Sequence, residues 1–136
     1  MPFPVDDLVL QRVPHRPPIL RVHRLVATDG DRGTVAGCEP TGPGALPWAA
    51  GAIEGIAQSA ALVLAGHAPK TEGAPRGMLV AVKKFVVHGE PPAGAEVLYH
   101  VELLRRLGAM ALLRGEATVA GTLLAGGDLT IWTPAG

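Results

Sequence analysis

The run from Leu46 to Gly66 constrains the fold more than any other stretch of this chain. It is dominated by Ala, Gly and aliphatic residues, with one carboxylate, Glu54, near its middle and one amide, Gln58, four residues on. Pro47 suits the first turn of a helix and Gly66 suits its stop. Residues four apart share a helix face, so Glu54 and Gln58 project together. A helix apolar on nearly every side is expected to be buried all round. An acid inside such a helix is costly unless it is paired, neutral or in use, which makes Glu54 the first candidate for function. The run approaches the ~20 apolar residues that span a bilayer. The acid at its middle and the half-buried strand patterns downstream argue against a membrane span.

With 136 residues the chain is expected to form one domain over its whole length, 1–136. Lys plus Arg and Asp plus Glu number 12 each, so charge gives no reason to expect nucleic acid or an anionic membrane as partner. Cys38 is the one cysteine and cannot form an internal disulfide. With no secretory pattern at the start, a cytoplasmic protein is the simplest expectation. Cys38 is expected to pack as a small apolar side chain.

Upstream of the apolar run, residues 4–11 open on a proline followed by acids, which predicts a short helix. Pro14-His15-Arg16-Pro17-Pro18 lacks backbone donors at three positions and predicts a rigid extended loop. Residues 19–27 and 33–38 read as strands around the turn Asp29-Gly30-Asp31. Downstream, residues 67–76 read as a polar loop and 78–87 as a strand rich in β-branched residues. In 96–104, Val97, Tyr99, Val101 and Leu103 alternate with Glu96, His100 and Glu102. Residues 109–119 and 122–132 follow after short turns, the last placing Leu123, Ala125, Leu129 and Ile131 on one side. Short turns between such segments predict an antiparallel meander. Met78, Phe85 and Trp48 are expected to serve the core.

Several antiparallel strands with one apolar face each need a cover, and a single long helix is available to provide it. One helix wrapped by a curved antiparallel sheet is the hotdog arrangement, an α+β fold, with the helix inserted after two strands and four strands following. Its free edges predict a homodimer or a dimer-based higher oligomer, joined edge to edge.

The motifs resemble those of the β-hydroxyacyl-acyl-carrier-protein dehydratases of fatty-acid synthesis. Val13-Pro14-His15-Arg16-Pro17-Pro18-Ile19-Leu20-Arg21-Val22-His23-Arg24 resembles that family's opening LPHRYPFLLVDR. Ile53-Glu54-Gly55-Ile56-Ala57-Gln58-Ser59-Ala60 resembles its helix motif LEAMAQAA, and Val82-Lys83-Lys84-Phe85-Val86-Val87-His88-Gly89 its strand VKFRRPVVPGD. Residues 116–121 and 128–131 resemble its closing strands. In the active enzymes a GHFPG segment before the helix supplies a histidine that pairs with the helix glutamate. No histidine occurs here between His23 and His67. That departure resembles a divergent branch of the family, some members of which are found with aryl-polyene or other polyketide-type lipid pathways.

The resemblance implies an acyl thioester of acyl carrier protein or coenzyme A as substrate, and neither cofactor nor metal. Dehydration needs a base for the proton α to the thioester carbonyl and an acid for the leaving β-hydroxyl. Helix-start amides around Ala49 to Gly51, Ala50 and Gly51 among them, suit the carbonyl oxygen. Trp48 at the helix entrance and Gln58 beside Glu54 are candidate substrate contacts. Three routes stay open for the missing base. His15 is carried in by its rigid loop, from the same or a neighbouring subunit; Glu54 alone activates water, as a thioesterase; or the site binds acyl chains without turning them over. The exposed-strand cations Lys83, Lys84, Arg105 and Arg106 are candidates for receiving an acidic carrier protein.

Overall fold

The computed structural model describes residues 3–16, 19–40, 45–64 and 78–132. Its elements run α1 (Asp7–Arg12), β1 (Val22–Asp29), β2 (Arg32–Cys38), α2 (Trp48–Leu64), β3 (Met78–Val87), β4 (Glu96–Leu107), β5 (Met110–Val119) and β6 (Thr122–Trp132). All six strands join one sheet in the order β1-β2-β4-β5-β6-β3, antiparallel throughout. α2 packs on one face of it, against β1, β2, β4, β5 and β6. This is the helix-and-sheet arrangement expected from the burial pattern. The meander holds for β4-β5-β6, whereas β3 lies at the far edge beside β6, because the α2 crossover carries the chain past the edge of β2 that β4 then takes. The expected loop at 67–76, and Gly66, lie outside the described residues.

Pro47 sits one residue before α2 rather than within its first turn, and its carbonyl accepts the Gly51 amide at 2.9 Å. The helix approaches the sheet closely because it carries no side chain at Gly55, where a Cβ would collide with the ring of the fully buried Tyr99. Trp48, Ala52, Ile56, Ala60 and Val63 complete the face turned to the sheet. The expectation of burial all round is corrected. Ala49 and Ala50 are exposed, and Ile53, Glu54, Ala57 and Ala61 are only partly covered. A single sheet covers one side of a helix, and the small α1 shields only part of the other.

Period-two reading fails at one point in β6. Ala117 pairs with Ala125, but its neighbour Thr118 pairs with Leu123, so one extra residue enters the strand. Such a bulge reverses the alternation beyond it. Leu124 is therefore buried, while Leu123, expected on the inner side, is exposed. Met78, expected in the core, is 62 % exposed at the start of the edge strand β3. Phe85 does pack against the core, half-buried. Cys38 is buried as a free thiol, and burial pushes that thiol up.

His23 on β1 is buried, stacked on Phe3 with ring centroids 4.7 Å apart. Its Nε2 lies 3.2 Å from Glu96 Oε2. Burial pushes the imidazole below its ordinary value, with Glu96 opposing. A depressed histidine contributes stability above its unfolded value near 6.5, and loses it as pH falls toward the folded one. Denaturant unfolding should therefore show stability falling between pH 7 and 5. His23→Leu, with no proton to gain, should have a shallower slope over that range; equal slopes would contradict the assignment.

Candidate functional site

Glu54 and His15 come together. His15 Nε2 lies 3.2 Å from Glu54 Oε1, with the two side chains 38 % and 27 % exposed. The carboxyl, expected in a dry interior from the apolar run, instead lies on the open face of α2. Oε1 also accepts a hydrogen bond from Gln58 Nε2 at 3.1 Å. A carboxylate only accepts, so this geometry places a His15 proton on Nε2. His15 Nδ1 is buried with no hydrogen-bond partner among the described residues.

Gln58 is 1 % exposed, and its amide is fully engaged. Oε1 accepts the Arg21 backbone N–H at 2.8 Å, and Nε2 donates to Ile19 O at 3.0 Å as well as to Glu54. Both N–H bonds are committed, so Gln58 ties the segment after His15 to α2 and holds Glu54 in place. Ala50 is exposed one turn before Glu54 on the same helix face, about 6 Å along the axis. The first-turn amides at Trp48, Ala49 and Ala50 have no intrahelical acceptor. Gly51 differs: its amide is held by Pro47 O, and its missing side chain makes room for the Arg21 guanidinium. Trp48 is buried in the core, its Nε1 without a described partner.

A group not foreseen from sequence lies under the helix start. Arg21, 2 % exposed, forms an ion pair through Nη2 with Glu39 Oε1. Burial pushes the Tyr99 phenol up, and the Arg21 charge opposes it. The sequence signal was a lone arginine in the apolar segment Ile19-Leu20-Arg21-Val22, but spacing alone names no partner for it.

Lys83 and Lys84 on β3 are exposed, as are Arg105 and Arg106 on β4. Two strands separate the pairs, about 14 Å across the sheet. An open groove of about 260 Å³ is lined by Arg32, Thr34, His100, Glu102 and Glu116, among others, and by no residue of α2. His100 is held there between the hydroxyls of Thr34 (3.2 Å) and Thr118 (3.0 Å). Arg32 and Glu102 pair there at 3.6 Å, and neither His15 nor Glu54 lines the groove. Among the described residues, no group of three or more His, Cys, Asp and Glu side chains is placed to hold a metal. No described helix is long and apolar enough to cross a membrane.

No protein-family model matches the chain. It is 33 % identical over 137 residues to a 3-hydroxyacyl-[acyl-carrier-protein] dehydratase FabZ of Methylobacterium sp. (strain 4-46), covering 89 % of this chain and 80 % of that protein. A second FabZ, from Methylobacterium nodulans, is 31 % identical over 132 residues, covering 89 % and 83 %. Among solved structures, the dehydratase heterocomplex ApeI:P from Xenorhabdus doucetiae superposes with a TM-score of 0.79 at 21 % identity, over 93 % of this chain and 90 % of that one. A hypothetical thioesterase protein with coenzyme A from Streptococcus pneumoniae TIGR4 gives 0.62 at 8 % identity, over 82 % and 85 %. At those identities the structural likeness speaks for the fold.

Proposed function

Because the chain belongs to the FabZ family of 3-hydroxyacyl-[acyl-carrier-protein] dehydratases, we propose that it removes water from a 3-hydroxyacyl thioester, with Glu54 and His15 as its acid–base pair. The observation that carries this reading is the 3.2 Å approach of His15 to Glu54 in a chain without the GHFPG histidine. The pair shares one proton. The thioester carbonyl sits at the amides of the α2 first turn, which have no acceptor within the helix and stabilise the enolate oxygen as charge develops. Glu54 Oε2, which has no described partner, takes the proton from Cα, and His15, entering the step as the imidazolium, releases its Nε2 proton from the contact with Glu54 to the departing β-hydroxyl and is left as neutral imidazole. The Cβ–O bond breaks, the Cα=Cβ bond forms, and water and the enoyl thioester leave. A proton then passes from Glu54 back to His15, restoring the starting state.

The test is product analysis. Purified protein incubated with a 3-hydroxyacyl and a saturated acyl thioester should give enoyl product from the first and no free thiol from either. Thiol release without enoyl product would replace the reading with hydrolysis by water on Glu54, for which the unpartnered Oε2 is also suited. Neither product, with the protein alone, would favour a role as one subunit of a hetero-oligomer, as in the ApeI:P dehydratase heterocomplex.

Edge pairing belongs to the same proposal. β3 is an edge strand of ten residues, with Val80, Val82, Val86 and Val87 exposed. An exposed apolar edge of that length is a template for a second strand. The protein is expected to sediment as a dimer or larger assembly, and Val80→Lys with Val82→Lys should shift it to the monomer. An unshifted mass would place the contact elsewhere.

A further inference from the structure

We propose that Arg16 is the positioning residue for His15: its guanidinium braces the loop that holds the imidazole on Glu54. The loop has a donor deficit. Pro14, Pro17 and Pro18 contribute no N–H, and the carbonyls at the end of α1 have no helical partner. Arg16 supplies the missing donors. Its Nη2 donates to Leu10 O at 2.8 Å, and its Nη1 to Val13 O at 2.7 Å and to His15 O at 2.8 Å. Its own carbonyl accepts the amides of Ile19 (3.0 Å) and Leu20 (3.1 Å). Five hydrogen bonds thus converge on one residue adjacent to His15. They fix the backbone on its near side, while Gln58 fixes Ile19 and Arg21 on the far side.

The arrangement needs a forked donor rather than a charge. A guanidinium presents several N–H groups in a rigid plane, whereas an ammonium is a single point on a flexible stem. Arg16 is itself exposed and touches no core residue's side chain through these bonds, so its loss should loosen His15 without unfolding the sheet. Misplacing a reacting group by about 1 Å can cost on the order of 100-fold in rate.

This inference rests on the His15–Glu54 reading, and its test separates the two. In Arg16→Gln, kcat for the 3-hydroxyacyl thioester should fall by about 10- to 100-fold with KM within about twofold, and far-ultraviolet circular dichroism should match the parent. Arg16→Lys should recover little of the loss; full recovery would mean that charge suffices and would overturn the fork. Independently of any activity, the His15 ring resonances are followed by NMR at fixed pH. In the parent, Glu54→Gln should shift the His15 ring resonances at fixed pH, because it changes the group 3.2 Å from Nε2; in the Arg16→Gln background that coupling should be lost. If Arg16→Gln keeps both the parent kcat and the parent coupling, Arg16 does not position His15. If the parent makes no enoyl product, the NMR coupling alone decides.

Discussion

Glu54→Gln is expected to lower kcat for dehydration by roughly 100- to 10,000-fold, the range that a positioned acid or base contributes. Stability should stay within about 0.5 kcal/mol of the parent. The substitution keeps the size of the side chain and an oxygen to accept from Gln58, so the bond at 3.1 Å survives. It removes the charge that faces His15 and the oxygen that takes the Cα proton. A carboxamide cannot exchange a proton with the imidazole. His15→Ala should fall by a similar factor, and the double variant should be no slower than the worse single one, since two residues acting as one unit are not additive. Product formation from a 3-hydroxyacyl thioester, alongside thermal unfolding, checks this. A Glu54→Gln protein with parent kcat would remove Glu54 from the chemistry. One with lost stability and unchanged activity would make the carboxyl a structural group.

How much of this site is legible in the sequence depends on the distance over which its parts are joined. The α2 helix and β3 follow from runs of residue type that local physics reads directly: a long small-residue segment opened by Pro47, and a β-branched run ending at Val87. The shared face of Glu54 and Gln58 follows from a four-residue spacing. What Gln58 holds does not. Its bonds reach Ile19 and Arg21 across two strands and a helix, and no periodicity encodes such a closure. The meeting of His15 with Glu54 is similar: a proline-rich loop announces rigidity but not the direction in which it points. The bulge at Leu124 is hidden for another reason, since a period-two pattern gives the same letters with or without one inserted residue.

Arg21 and Glu39 show the same gap on the side of stability, and there the second large effect is expected. Arg21 stands where the resembling dehydratase motif has a leucine, inside an apolar segment, and it is 2 % exposed. Its partner Glu39 keeps 21 % of its side chain open. The two ends of the pair therefore differ in what happens when the other is lost. Glu39→Ala strands a guanidinium with no route to water, and removing one member of a buried pair costs about 3–5 kcal/mol. Arg21→Leu leaves a carboxylate that can turn outward and be hydrated, and leucine fits the surrounding apolar residues, so its cost should be smaller by about 2 kcal/mol or more. Adding Arg21→Leu to Glu39→Ala should then restore part of the stability that Glu39→Ala alone removes, because no unpaired charge remains inside. Urea unfolding of the three variants measures this ordering. Equal losses in the two single variants would mean that Arg21 reaches water after all, and that the space left by Gly51 holds a side chain free to move rather than a fixed buried cation.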